Sequence, residues 1–428
     1  MAVRKLKEIE TISGDLSNST QNTKKIILSS DHNGREIWAY RINNAIISSD
    51  SIHYPSIQIY SEVDGIQYLP IEEDIMSLKS MSKHVQTEIS DRPSYKSTIE
   101  NPFFFFIYNF DNYYHFIYDS LPYLITYFKL KNKFKNLKLL ISSPNYQQIE
   151  PYPFFYEFLE LLNISREDII FAEKNILYSC ILLSDSYTHS GKSEIPPREE
   201  IYELFVKLKD LANQKSSNIN NIDNIYISRR TWIHENFENI GTNYTQKRKL
   251  ENESELVAFL KTKGFVEIFT ENISTVDKIN IFANAKNIIG PSGGGLCNVL
   301  FCKNATRLLA INSPGFMKVN GRFNYAFENV KTYFYDHTFH SENGQFKKYM
   351  RVYIPEHNIV GEVETYNQGM VQINYTENII AGWNAQLELK TIWVKEAQCE
   401  TLDEGLNSPW KLDLDHFINY FKQSYYPS

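Results

Sequence analysis

The sequence predicts an α/β protein built from two units, and three observations carry that expectation. Apolar strand-like runs alternate with amphipathic helical runs between about residues 100 and 315. A polar stretch rich in Asn and Ser, "KSSNINNIDN", interrupts the alternation and reads as a linker. At 428 residues the chain exceeds one core of ordinary size, so two domains of roughly 150–200 residues each are expected.

The elements follow in order. Residues 1–24 are polar and read as a frayed tail. Between 25 and 75, "KKIILSS", "EIWAYRI" and "SIQIYSE" alternate apolar and polar residues between turn signals, predicting a small N-terminal β region. "FFFFIY" (103–108) predicts a buried strand, and "NYYHFIYDSLPYLITYFKLK" (112–131) a helix interrupted at Pro122. "LKLLIS", "DIIFA" and "ILYSCILLS" predict further strands, with a helix over "YPFFYEFLELLN". Together with the amphipathic helix that begins after Pro196 and Pro197, residues 25–215 form the first domain.

The second domain, 224–315, is more regular. "NIYISRR" predicts a strand ending in two arginines. "NESELVAFLKTKG" predicts a helix capped by Asn252 and stopped by Gly264. Ser274, with Asp277 three residues on, opens the next helix like a capping box. "KNIIG" is a strand, "GGLCNVLFC" a helix and "TRLLAINS" a strand. Residues 316–428 form an extension, partly β, ending in an aromatic helix over "LDHFINYFKQSYY".

Bulk properties narrow the function classes. The net charge of −7 and the lack of a basic block give no support to a nucleic-acid partner. The first residues lack an apolar core of signal-peptide length, and no uncharged apolar run approaches 18 residues. A cytoplasmic protein is expected, with contact at the inner face of a membrane left open for the residues after 315. Cys180, Cys297, Cys302 and Cys399 are too few for a disulfide framework and read as reduced thiols. Asn163 and Asn243 stand in glycosylation triplets, which the Asn-rich composition explains. No metal-ligand spacing stands out. "YDHTFH" offers Asp336, His337 and His340, read as a surface loop.

In open parallel sheets, ligands bind at the carboxyl ends of strands, and three groups of residues fall there. The first is the loop in "NIIGPSGGGLCNVLF", between a strand and a helix. Helix starts offer N–H groups to anions, and glycines let backbone approach closely. The loop is neither a Walker loop nor a G-x-G-x-x-G fingerprint, since Asn298 fills the third glycine site. A tight, closely packed turn explains it equally well. The second group is cationic: Arg229 and Arg248 are placed to neutralise a diphosphate, whereas Arg230 and Lys247 read as solvated charges. The third is His115 and Asp119, four apart on one helical face. Such a pair serves as a general base with its orienting acid, or simply as a local hydrogen bond.

In combination, "NYYHFIYDSLPYL", "YISRR…RKLENESEL" and "ISTVDKINIFANAKNIIGPSGGGLCNVLF" resemble glycosyltransferase family 61 over about residues 100–315. The resemblance implies a GT-B architecture of two Rossmann-like domains facing across a cleft. It implies inverting transfer from a nucleotide sugar, usually UDP-linked, to a glycan acceptor, commonly without a bound metal or other cofactor, as in surface polysaccharide synthesis. By motif, Ser228 and Arg229 match the family's Ser-Arg, and Arg248 the basic position ahead of an Asn-Glu pair, here Asn252 and Glu253. Gly290, Pro291, Gly293, Gly295, Leu296 and Asn298 match the glycine loop, which also contains Ser292 and Gly294. His115 and Asp119 match the His and acidic positions of the first block. One departure stands out: the family commonly has His where this chain has Ser292. That departure keeps open an alternative, a nucleotide-sugar or glycan-binding homologue that has lost catalysis.

Overall fold

The computed structural model describes residues 23–30, 36–49, 57–61, 65–68, 97–106, 113–141, 151–173, 176–184, 187, 198–215, 222–234, 247–303, 305–319, 330–380 and 386–426. The tail expected over 1–24 lies outside them except for its last two residues. Pro196, Pro197, Asn243 and most of the linker stretch also lie outside. The chain divides into two units, residues 1–204 with 378–386, and residues 205–377 with 387–428.

The first unit holds one mixed sheet. Strands β1 (Thr23–Ser30), β2 (Glu36–Ser49), β3 (Ile57–Ser61) and β4 (Gly65–Tyr68) pair antiparallel. Strands β5 (Ser97–Phe106), β6 (Lys138–Ile141), β7 (Ile169–Phe171) and β8 (Ile176–Ser184) pair parallel. The order is β4-β3-β2-β8-β5-β6-β7, with β1 beside β2. The N-terminal β region is therefore part of the main sheet, joined to it by the antiparallel β2–β8 pair.

Phe103, Phe104, Phe105 and Phe106 are all buried, as a strand covered on both faces requires. Each such side chain contributes about 1.5–3 kcal/mol of burial. After β5 the chain turns to β6 and β7 on one side and later returns to β8 on the other. The carboxyl end of β5 is thus the switch point of this sheet. A helical turn, Tyr113–His115, opens there into one wide π turn, Phe116–Ser120, closed by Leu121 N–H donating to Phe116 O at 2.8 Å. Helix α1 (Tyr123–Lys131) follows directly after Pro122, which stands at its N-cap position without a side-chain cap. The irregularity read at Pro122 is therefore taken up by the wide turn before it. Helix α2 (Pro153–Leu161) places Pro in its first turn, where no intrahelical N–H is lost. Helix α3 (Glu199–Lys215) starts in the first unit and ends in the second.

The second unit is built on a parallel sheet of β9 (Asn224–Ile227), β10 (Val266–Ile268), β11 (Asn287–Pro291), β12 (Thr306–Ile311) and β13 (Val330–Tyr335). Its order is β10-β9-β11-β12-β13, all parallel, so its switch point lies between β9 and β11. Helix α4 (Glu253–Lys261) connects β9 to β10 and ends at Gly264, whose φ of +78° favours glycine. Asn252 does not cap it. Its amide instead donates to Leu412 O at 2.8 Å and accepts from Leu412 N at 3.1 Å. Helix α5 (Thr275–Asn284) is capped as the sequence predicts, Ser274 Oγ accepting from Asp277 N–H at 3.1 Å. The segment after the glycines, Gly294–Phe301, is not α-helical but a run of 3-10 turns. Adjacent glycines at its start give α-helix little support.

Residues after 315, apart from 378–386, complete this unit. They supply β13 and the pair β14 (Thr338–His340) with β20 (Trp410–Leu412). A smaller sheet lies between them in sequence, formed by β15 (Arg351–Ile354), β16 (Ile359–Asn367), β17 (Met370–Ile380), β18 (Gln386–Lys395) and β19 (Glu400–Thr401). Its order is β18-β17-β16-β15-β19, and its core includes Val352, Ile354, Val363 and Ile373. The last helix, α6 (Leu414–Tyr420), and the turn after it bring Phe417, Phe421 and Tyr425 into one core with Tyr226, Ile289, Leu309 and Tyr335. Tyr425 Oη donates to Ile288 O at 3.2 Å and Arg307 O at 3.0 Å, tying the C-terminus to β11 and β12. Among the described residues, no helix is long and apolar enough to cross a membrane.

Candidate active site

Each unit carries one cluster at its switch point, and each is described by itself. In the first, His115 Nδ1 lies 2.7 Å from Asp119 Oδ2. A carboxylate only accepts, so the proton of this bond sits on Nδ1, and in the neutral imidazole Nε2 carries the lone pair. Asp119 is 1% exposed and His115 29%, so the acid is inside and the imidazole reaches the surface. The π turn widens the backbone at this point, a distortion frequent at functional sites. Tyr114 stacks on Tyr118 with ring centroids 5.6 Å apart and meets His115 edge-on at 5.2 Å. Phe116, Tyr118 and Tyr123 of the same stretch are buried in the core.

In the second unit, the carboxyl ends of β9 and β11 stand side by side. Ser228 and Arg229 leave β9, and Glu253 in the first turn of α4 organises them. Its Oε1 accepts from Tyr226 Oη at 2.9 Å, Ser228 Oγ at 3.1 Å and Arg229 N–H at 2.8 Å. Glu253 is 1% exposed, and burial raises its carboxyl pKa against the effect of these donors and of Arg229. Ser228 is thus spent on the turn, and Arg229 is the side chain that projects from it.

The Arg229 guanidinium rests against the glycine loop. A Cβ at Gly293 would lie 2.5 Å from Nη1, so only glycine leaves this space. Nη2 donates to Lys247 O at 3.2 Å, which brings Arg248 to the same edge. Burial lowers the Arg229 pKa, while Glu253 and Glu271 oppose that effect. Arg248 has a left-handed backbone, φ +54°, fixed by its N–H donating to Asn407 O at 2.7 Å and by Trp410 Nε1 donating to its carbonyl at 3.0 Å. Its guanidinium lies 4.4 Å from the Phe316 ring centroid. Arg230 and Lys247, read as solvated charges, each meet a carboxylate, Glu267 and Glu362 respectively.

The other loop residues divide by task. A Cβ on Gly290 would lie 3.0 Å from Ile227 Cβ and O, and one on Gly295 2.9 Å from Ile227 Cγ2, so these glycines serve packing on β9. Leu296 is core, and Asn298 Nδ2 closes the turn on Gly295 O at 2.8 Å. Pro291 ends β11 in register with Ile311. Gly293, Gly294 and Gly295 carry N–H groups at the start of the 3-10 run, where helical turns leave donors without intrahelical acceptors.

Ser292 is turned along the strand ends. Its Oγ donates to Asn312 Oδ1, and Asn312 Nδ2 donates to Asp336 Oδ1. The register explains this line: Pro291, Ile311 and Tyr335 are aligned, and these three residues each stand one further on. Sequence reasoning missed Asn312 and the organising role of Glu253. A polar residue directly after an apolar strand was the available signal for the first. For Glu253, the signal was a carboxylate beside the capping position that did not continue the apolar pattern. Among the described residues, no cluster of three or more His, Cys, Asp or Glu could hold a metal ion.

Residues 113–309 match the family model described as Glycosyltransferase 61, a stretch that contains His115, Asp119, Arg229, Arg248, Glu253 and the glycine loop but ends before Asn312. No curated protein matches the chain. The matched family is the one that the sequence resembles, and the activity it indicates is glycosyl transfer.

Proposed function

We propose that this protein is an inverting glycosyltransferase whose second unit binds a nucleotide-diphosphate sugar, UDP-linked in our reading. The acceptor is a hydroxyl of a glycan, and surface polysaccharide synthesis is the setting in which we place it. We read the two α/β units as the two Rossmann-like halves of a GT-B enzyme. The observation that carries the donor reading is the Arg229 guanidinium seated on Gly293 at the switch point of a parallel sheet. A buried-edge cation beside glycine N–H groups offers a diphosphate both charge and directed donors. Arg248, stacked on Phe316, adds a second fixed charge.

In this reading His115 is the general base. Its Nε2 takes the proton of the acceptor hydroxyl, and Asp119, holding Nδ1–H, orients the ring and stabilises the imidazolium. The acceptor oxygen attacks the anomeric carbon opposite the diphosphate, forming one C–O bond as the bond to the leaving phosphate breaks. The electron pair leaves on the diphosphate, where Arg229, Arg248 and the loop N–H groups stabilise it. Product stereochemistry tests this: an α-linked donor gives a β-linked product, and retention overturns the mechanism. Arg229→Ala lowers UDP affinity measured by calorimetry, and unchanged affinity removes Arg229 from the donor site. Activity persists in EDTA if these cations suffice for the leaving group.

A further inference from the structure

The line Ser292–Asn312–Asp336 lies outside the roles assigned so far. Ser292 and Asn312 are 6% and 2% exposed, whereas Asp336 is exposed. Two buried polar side chains are therefore spent in series on orienting one surface carboxylate. The turn that carries it is also fixed. Thr338 N–H donates to Asp336 O at 2.9 Å, and Thr338 Oγ1 donates to Asn312 O at 2.7 Å. Asn312 is neutral, so it aims the carboxylate without cancelling its charge. Sheet strands lie about 4.8 Å apart, which puts the end of β13 about 10 Å from the loop after β11. That is the span from the diphosphate to the sugar ring hydroxyls of an extended nucleotide.

We infer that Asp336 binds the ribose diol of the donor nucleotide, with Ser292 and Asn312 as its positioning residues; this rests on the donor reading above. A carboxylate only accepts, and its two oxygens suit two neighbouring O–H donors. The charges along the sheet edge also set a direction. Arg229 at the β9 end attracts phosphate and Asp336 at the β13 end repels it, so the nucleotide lies with its diphosphate toward β9 and its ribose toward β13.

Calorimetry with UDP, GDP, their 2′-deoxy forms and inorganic pyrophosphate tests the assignment on the full chain. The wild type should bind UDP or GDP about tenfold or more tightly than the matching 2′-deoxy form, the loss expected for a hydrogen bond to a charged group. Asp336→Asn should bind the ribonucleotide about as weakly as the wild type binds the deoxy form, with no discrimination left, and pyrophosphate as the wild type does. The comparison of ligands on the wild type needs no variant to fold. If a ribonucleotide binds but the wild type ignores the 2′-hydroxyl, or D336N keeps the discrimination, the inference is overturned and the donor reading stands. If neither UDP nor GDP binds, the donor reading falls and takes this inference with it.

Discussion

Gly293→Ala separates a ligand-binding role for the glycine loop from a packing role. The backbone at Gly293 is extended, φ 170° and ψ −177°, a conformation alanine adopts without strain. The new methyl would meet the Arg229 guanidinium at 2.5 Å and, beyond that side chain, only Pro291 O at 3.9 Å. The guanidinium is the end of a flexible side chain, so it moves rather than the backbone. Moving it breaks its bond to Lys247 O and takes it away from the glycine loop. A charge-assisted hydrogen bond to phosphate is worth about 1.5–3 kcal/mol. UDP binding should therefore weaken by about tenfold to 150-fold.

The control is Gly290→Ala in the same loop. Its methyl would press on Ile227 Cβ and Ile227 O, both at 3.0 Å, and on Leu296 Cδ2 at 3.1 Å. Backbone and core cannot yield as a guanidinium can, and overpacking of this kind costs about 1–3 kcal/mol. Its melting temperature should fall by several degrees. Gly293→Ala should melt within about 2 °C of wild type on the same scale. The assay pairs differential scanning calorimetry with UDP titration on both variants. A Gly293→Ala protein that binds UDP like wild type, or that melts as early as Gly290→Ala, refutes the seating of Arg229 as the donor contact.

Three further outcomes follow from the same geometry. His115→Asn should lower turnover by about 10²–10⁴ with UDP affinity kept, as removal of a general base does; equal losses of both would point to a structural role. Glu253 has a raised pKa, so its contribution to stability is present below the ordinary carboxylate range and is lost as pH rises through the raised value. The melting temperature of wild type relative to Glu253→Gln should therefore fall as pH rises above the ordinary carboxylate range, and a constant difference would contradict this. Tyr425→Phe leaves Ile288 O and Arg307 O without this donor and should cost about 1–2 kcal/mol by urea unfolding.

Much of the fold was legible because it is local. Ser274 and Asp277 spell a helix start, and the four phenylalanines from Phe103 spell a strand buried on both faces. The readings that failed depend on distant partners. Asn252 has the chemistry of a cap, but an equally good partner, the Leu412 backbone, lies 160 residues away. The aromatic C-terminal segment is the helix that the sequence predicts, but only the folded sheet shows that Tyr226, Ile289 and Leu309 need it as cover. At the site, residue types that carry charge or glycine were visible. Their division between ligand and packing was not, because Gly290, Gly293 and Gly295 are the same letter, and what each missing Cβ would strike is set by β9.

Ser292 shows how far such substitutions can be read. Taken alone, a serine where relatives commonly carry histidine suggests a damaged loop. In the fold its hydroxyl is committed to Asn312, so it acts on the β13 end of the sheet and not on Arg229. Ser292→Ala would leave Asn312 free to turn, and through it would loosen Asp336. If that is the route by which position 292 acts, S292A weakens UDP binding, spares pyrophosphate binding, and has little further effect when added to D336N. If instead Ser292 meets the diphosphate itself, S292A weakens pyrophosphate binding as well and adds fully to D336N. The double-mutant cycle on the two ligands therefore decides whether the serine is a remnant of a phosphate contact or a support for a neighbouring strand. Only the first would favour a homologue that has lost its catalytic loop.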